Sequence, residues 1–184
     1  MKHTQAPFAR DKDDTPYFST IFGGEQGKKT THTRRLLVDS RDRTDGTDYD
    51  FTVRFANPYV NTTGVSEMQN VSSVDLKLAA IPRVAGENYA IIDIAELRDS
   101  TLDATNNTAN RAFAVAFFDN SLLSPGDVKP MKDFYTQKIV FNPPLNKLDR
   151  MTIRILKHDG SLVTRSDTGN VGNVSFLFDV ELLK

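Results

Sequence analysis

Apolar and polar side chains alternate along eight short segments of this chain, and a turn-forming sequence follows each segment. The segments cover residues 34–39, 49–55, 74–80, 89–97, 112–117, 134–141, 151–155 and 174–180. A period of two places every second side chain on one face of a β-strand. The repeated apolar residues are mostly β-branched or aromatic, which favours strands over helices. The sequence therefore predicts a compact all-β sandwich, and a helix is a competing interpretation only for residues 91–97.

Glycine and proline mark the turns between these segments. An Asp-Gly pair at residues 159–160 predicts a tight turn, because glycine adopts a positive φ at little cost. Pro82 and the pair Pro143 and Pro144 are expected to end the third and sixth segments, since proline donates no hydrogen bond to a sheet. The alternation then predicts a core that contains Phe51, Val53, Leu76, Leu78, Phe113, Val115, Ile153, Ile155, Phe176 and Phe178.

Length and composition fit one globular domain without covalent cross-links. The chain has 184 residues, of which 39% are hydrophobic, with 12 phenylalanines and no cysteine. The formal net charge of −1 creates no long-range field that would attract nucleic acid or an anionic membrane. No apolar run reaches the roughly 18 residues that span a bilayer, and residues 1–5 lack the apolar stretch of a signal peptide. We therefore expect neither nucleic-acid binding nor membrane insertion.

Residues 1–33 differ from the rest of the chain because they are polar and lack periodicity. They also contain several glycine and proline residues, which interrupt regular secondary structure. One interpretation is a disordered terminus with stray aromatic residues. The other is an extended arm that docks on a neighbouring subunit, ahead of a domain spanning residues 34–184. On the second interpretation the partner-binding residues are Phe8, Tyr17, Phe18, Ile21 and Phe22.

No pattern in the chain predicts catalysis, a metal site or a cofactor. His3, His32 and His158 are the only histidines, and no two of them share a short metal-ligand spacing. The acidic stretch over residues 39–50 contains interleaved arginines, so we expect a solvated turn rather than a calcium loop. A nucleophile-elbow motif and a glycine-rich phosphate loop are both missing from the sequence. We therefore expect that the protein is not an enzyme.

Several stretches of the sequence carry a family likeness, and they lie between residues 34 and 184. They are Leu-Leu-Val-Asp-Ser-Arg-Asp-Arg at 36–43, Tyr-Asp-Phe-Thr-Val at 49–53, the run at 71–82 that ends in Ile-Pro, Phe-Asn-Pro-Pro-Leu at 141–145, Leu-Asp-Arg-Met-Thr-Ile at 148–153, and His-Asp-Gly at 158–160. In these stretches the chain resembles the single jelly-roll penton and minor capsid proteins of the nucleocytoplasmic large DNA viruses. Residues 1–33 match no pattern of that family.

The resemblance implies an eight-stranded single jelly roll, with strands B, I, D and G in one sheet and C, H, E and F in the other. It implies a structural virion protein made in the host cytoplasm, most specifically the penton at the fivefold vertex. The implied partners are other copies in a pentamer and the neighbouring major and minor capsid proteins. Alternatives are a minor capsid protein that cements the same shell, or a ligand- or receptor-binding β-sandwich module.

Overall fold

The computed structural model describes residues 30–55, 65–98, 104–110, 112–118, 124–129, 135–136 and 138–184. These residues form an all-β fold in which every helical piece is a short 3-10 turn, so the predicted fold class is confirmed at that level. The 3-10 turns are Ser40–Asp42, Ala95–Leu97 and Arg165–Thr168. The strands are β1 (Thr31–Asp39), β2 (Asp45–Gly46), β3 (Asp50–Arg54), β4 (Met68–Ala80), β5 (Tyr89–Ile94), β6 (Ala114–Phe117), β7 (Tyr135–Thr136), β8 (Ile139–Leu148), β9 (Arg150–Leu156) and β10 (Ser175–Leu183).

The strands are arranged in two antiparallel sheets. One has four strands in the order β1-β10-β4-β8, and the other has six in the order β2-β3-β9-β5-β6-β7. Register follows the apolar alternation: Phe176 of β10 lies opposite Val38 of β1 on one side and Ala79 of β4 on the other. All three side chains are buried.

The main core lies between the two sheets, which both contribute side chains to it. Its aromatic centre includes Phe113 and Phe178, whose ring centroids are 6.0 Å apart, and Phe176 packs beside Phe178. Every side chain of the predicted core is buried except Leu78, which is half-buried. Nine of the ten predicted core residues are therefore buried.

The prediction for Leu78 is wrong because β4 contains a bulge. Leu177 of β10 pairs with Leu78, whereas the next residue, Phe178, pairs with Leu76, so Lys77 is an extra residue on β4. An extra residue reverses which side chains face inward. Ala79 is therefore fully buried in place of Leu78.

Phe113 of the fifth segment faces the main core as expected, but from Ala114 onward the segment points the other way. Ala114 and Ala116 belong to the main core, whereas Val115 pairs with Ile91, whose side chain packs in a second cluster outside that core. Phe117 is 52% exposed. A period of two defines two sets of side chains, but it does not say which set faces the core when both are apolar.

The sixth segment divides into two strands that belong to different sheets. β7 pairs with β6 in the six-stranded sheet, and β8 pairs with β4 in the four-stranded sheet. Pro143 and Pro144 do not end the segment as predicted, because β8 continues through them, with a cis bond between Asn142 and Pro143. β8 is an edge strand, and an edge strand tolerates residues that lack an N–H donor.

Two other boundaries differ from the sequence prediction. β1 begins at Thr31, three residues before the first predicted segment. The fourth segment is a strand to Ile94 and then a single 3-10 turn, so the helix considered for this region is limited to Ala95–Leu97. The turn at Asp159 and Gly160 is present, with a φ of 84° at the glycine.

Candidate assembly surfaces

A row of three leucines crosses the outer face of the four-stranded sheet. Leu37 of β1 pairs with Leu177 of β10, which pairs in turn with Leu78 of β4. Leu37 is 65% exposed, and the other two are half-buried. The outer face of an antiparallel sheet is ordinarily polar. This leucine row is therefore a surface on which a partner could bury apolar area.

An ion-pair row lies next to the leucine row on the same face. Arg35 donates to Asp179 Oδ1 at 3.0 Å between β1 and β10, and Asp179 lies opposite Asp75 of β4. Lys77 donates to Asp75, and this hydrogen bond raises the pKa of the lysine. The four charges therefore compensate one another beside the leucine row.

The third cross-strand row of this face is centred on Glu181. The Glu181 carboxylate accepts from Ser73 Oγ and from Lys138 Nζ, both at 2.7 Å, and these hydrogen bonds lower its pKa. Val140, on the edge strand β8, is 68% exposed near this row. Among the described residues of this sheet, the most exposed apolar side chains, Leu37 and Val140, thus lie on the two edge strands.

Aromatic rings are exposed on the outer face of the six-stranded sheet. Tyr89 of β5 pairs with Phe117 of β6, and their ring centroids are 5.8 Å apart. His158 meets the Tyr89 ring edge-on, also at 5.8 Å. The rings of Tyr89 and Phe117, called the aromatic pair below, form a second surface that is available for contact.

The opposite end of that face is charged, and its buried carboxylate is paired with two arginines. The carboxylate of Asp93 is buried and accepts from Arg98 on one side and from Arg154 on the other. Burial acts to raise the pKa of Asp93, but the hydrogen bonds from the two arginines outweigh it and the pKa is lowered. The carboxylate stays ionised, so it organises the sheet surface and does not carry a proton in the neutral pH range.

The acidic stretch that was predicted to be a solvated turn is partly buried and paired with arginine. Asp39 accepts from Arg41 Nε at 2.8 Å and from Ser175 Oγ at 2.7 Å, and Asp48 accepts from Arg165. Both carboxylates are buried. Among the residues that the structure describes, no group of three or more histidine, cysteine or acidic side chains is placed to hold a metal ion.

The predicted partner-binding residues, Phe8, Tyr17, Phe18, Ile21 and Phe22, lie outside the described residues. Sequence reasoning missed the leucine row, although a signal was present. Leu37 and Leu177 occupy positions that the alternation assigns to polar side chains, next to the core residues Leu36 and Phe176. An apolar residue in a polar position of an alternating strand is a reason to expect a contact surface.

Within the described part of the chain, no helix combines the length and hydrophobicity needed to cross a bilayer. Neither a scan against protein-family models nor a search of curated proteins finds a match to this chain.

Proposed function

We propose that this chain is a structural subunit of an icosahedral virion shell with a single jelly-roll fold, and specifically the penton at the fivefold vertex. The observation that carries the proposal is strand order. With β1, β3, β4, β5, β6, β8, β9 and β10 named B to I, the four-stranded sheet reads B-I-D-G. The six-stranded sheet reads C-H-E-F, with β2 and β7 added at its edges. The order supports a jelly roll because it places the first and last strands side by side.

Two separate contact surfaces support assembly into a ring. Cyclic rings are built from heterologous contacts, in which one surface of a subunit meets a different surface of the next. The leucine row lies on the outer face of one sheet, and the aromatic pair lies on the outer face of the other. A chain of near-neutral net charge also lets identical copies approach without strong mutual repulsion.

Native mass spectrometry of the purified full chain tests the oligomer. We expect a species of five times the 20.6 kDa chain mass, in equilibrium with the monomer as concentration falls. A chain that stays monomeric at every concentration up to the high micromolar range would contradict the penton assignment.

Cryo-electron microscopy of particles that carry the tagged chain then separates the two capsid roles. Density at the fivefold axis supports the penton, and density elsewhere supports a cementing minor capsid protein.

A ligand-binding module is the second candidate, and the aromatic pair is the observation that favours it. Exposed aromatic rings can stack on an apolar ligand face, and Phe117 is 52% exposed. A glycan array probed with the full chain tests this alternative. Binding that disappears in Phe117→Ser would support the ligand-binding module, and an array without signal would leave the structural role as the better explanation.

A further inference from the structure

A short strap covers the outer face of the six-stranded sheet between β5 and β6. The strap consists of residues 104–110 with Ala112, and it packs Ala109 and Ala112 against Ile91. Leu156 of β9 packs against the same cluster. The strap therefore shields an apolar area that would otherwise face water, separate from the main core.

One side chain, Asn106, joins the strap to the turn after β9. Its Nδ2 donates to the backbone carbonyl of His158 at 2.6 Å and lies 3.2 Å from His158 Nδ1. The Oδ1 of Asn106 accepts from the backbone N–H of Thr108 at 2.9 Å. Because a carbonyl can only accept and an N–H can only donate, these two contacts fix the orientation of the amide.

The fixed amide turns a donor toward the ring of His158. Nδ2 of Asn106 can donate across the 3.2 Å contact only to an unprotonated Nδ1, the tautomer that carries the ring proton on Nε2. Tyr89 is 2.5 Å from the same nitrogen. A protonated ring would place two donors, Nδ1–H and Nδ2–H, against each other. The Tyr89 hydroxyl can rotate to accept a hydrogen bond, but the Asn106 amide cannot.

We propose that His158 is a proton-sensitive latch for the strap. The neutral ring holds Asn106 and keeps the strap closed over Ile91 and Leu156. Protonation removes one strap contact, opposes two donors and loosens the strap, which uncovers the apolar area. Histidine is suited to this role because a ring nitrogen that accepts a hydrogen bond in the neutral ring becomes a donor when the ring is protonated.

The charged residues next to His158 interact with other partners, so they do not act as the latch themselves. Lys157 pairs with Asp167 at 3.5 Å, and Asp159 accepts from Ser161 in the same turn. Tyr89 is the ionisable group on β5 that contacts the ring, and Phe117 beside it carries no charge. Two described strap residues, Asn106 and Thr108, lie close to the turn that contains His158. Neither side chain ionises.

Amide hydrogen exchange of the full chain tests the latch at pH 7.5 and pH 5.5, with rates corrected for intrinsic chemistry. The reporters are the strap amides of Ala109 and Asn110, which donate to the Asn106 carbonyl at 3.1 and 3.2 Å. We expect their protection to fall roughly fivefold at pH 5.5, as for the loss of one net hydrogen bond. Protection in β9 and β10 should stay constant. Equal strap protection at both pH values would overturn the proposal.

Two variants make the test specific. His158→Phe keeps a ring against Tyr89 but cannot change charge, so its strap protection should be the same at both pH values. His32→Phe alters an exposed histidine on β1 and should retain the wild-type response. Persistence of the pH response in His158→Phe would overturn the proposal. Nitrogen shifts of the His158 ring are an independent check, because a neutral ring with its proton on Nδ1 would also overturn it.

Discussion

The hydroxyl of Ser175 donates to Asp39 Oδ2 at 2.7 Å, and this hydrogen bond joins the end of β1 to the start of β10. The Asp39 carboxylate also accepts from the backbone N–H of Arg41 at 2.9 Å. One residue further along, the Ser40 N–H donates to the Val174 carbonyl at 2.9 Å. The first and last strands of the described fold are therefore fastened together by side chains as well as by the sheet.

Acid should weaken this junction. Hydrogen bonds from Arg41 hold the pKa of Asp39 far below its usual range, and the hydrogen bond from Arg165 lowers the pKa of Asp48. A depressed folded-state pKa adds stability that is complete above about pH 5, begins to be lost as the pH falls below the unfolded value near 4, and is fully lost only below the folded-state pKa. We expect the free energy of unfolding, measured by urea titration, to fall from pH 5 to pH 2.

Asp39→Asn should make that fall shallower, because the variant has no carboxylate to protonate at this position. Asp42→Asn is the matched control, since it changes an exposed acid in the same 3-10 turn. If Asp39→Asn and the wild type lose the same stability over this pH range, Asp39 does not contribute to acid sensitivity.

Gly172 should not tolerate a side chain. A Cβ at this position would lie 2.5 Å from Asp48 Oδ2 and 2.9 Å from Arg165 Nε. We expect Gly172→Ala to lower the free energy of unfolding by about 1–3 kcal/mol, as for other overpacked sites. The closest clash is with Asp48, so the same substitution in an Asp48→Ala background should cost less. A double-mutant cycle that shows equal costs in both backgrounds would contradict this explanation.

Neighbouring residues on β10 should respond very differently to truncation. Phe176 is fully buried between the sheets, and Leu177 faces outward in the leucine row. Phe176→Ala should cost about 3–5 kcal/mol through lost burial and a residual cavity, whereas Leu177→Ala should cost less than about 1.5 kcal/mol. Chemical denaturation of the two variants measures both values. Comparable losses would show that the assigned orientation of β10 is wrong.

The β10 alternation could be predicted from sequence because its inward positions are large and its outward positions are polar apart from Leu177 and the terminal Leu183. The same reasoning failed at Leu78, because nothing in the alternating run marks Lys77 as an extra residue. It also failed at Val115, where alanines and larger apolar residues alternate and both sets look suited to a core. Periodicity reports a repeat of two, whereas a bulge or a covered outer face depends on partners that are distant in sequence.

The contact surfaces were harder to predict than the core for a related reason. Leu37 and Leu177 stand out only as exceptions to an alternation, and their alignment depends on the register between strands. The contact between Asn106 and His158 joins residues 52 positions apart. Such a pair follows from the packing of a loop on a sheet, for which the sequence contains no local signal.

Leu37 should contribute to assembly more than to folding. Leu37→Ser changes a side chain that is 65% exposed, so the melting temperature of the isolated chain should hardly change. If the leucine row is buried between copies, the variant should lose about 1.5–3 kcal/mol per interface, visible as dissociation of the oligomer in native mass spectrometry. Val140→Ser is the control, because Val140 is equally exposed on the same sheet but away from the leucine row. Equal weakening by the two variants would argue against a specific role for the row.

Residues 1–29 should be dispensable for folding and required for full assembly. A deletion that stops at residue 29 is preferable to one that stops at residue 33, because β1 begins at Thr31. The truncated chain should keep its melting temperature and form a weaker oligomer. The same result is expected for the full chain with serine at the apolar arm positions Phe8, Tyr17, Phe18, Ile21 and Phe22. Oligomers of wild-type strength in both variants would show that the arm hypothesis is wrong.

Because of the prolines in β8, the four-stranded sheet can pair with a strand of another copy at one edge, β1, but poorly at the other. Filament growth by strand addition needs two open edges on every subunit, one to receive the preceding copy and one to offer the next. Pro143 and Pro144 remove two donors from the β8 edge, and the edge strands β2 and β7 of the six-stranded sheet have two residues each in the described part of the chain. Among the described strands, β1 is the long regular edge. Pairing through β1 alone would join two copies and then stop, so the described edges do not supply the two sites per subunit that fibril growth by strand addition needs.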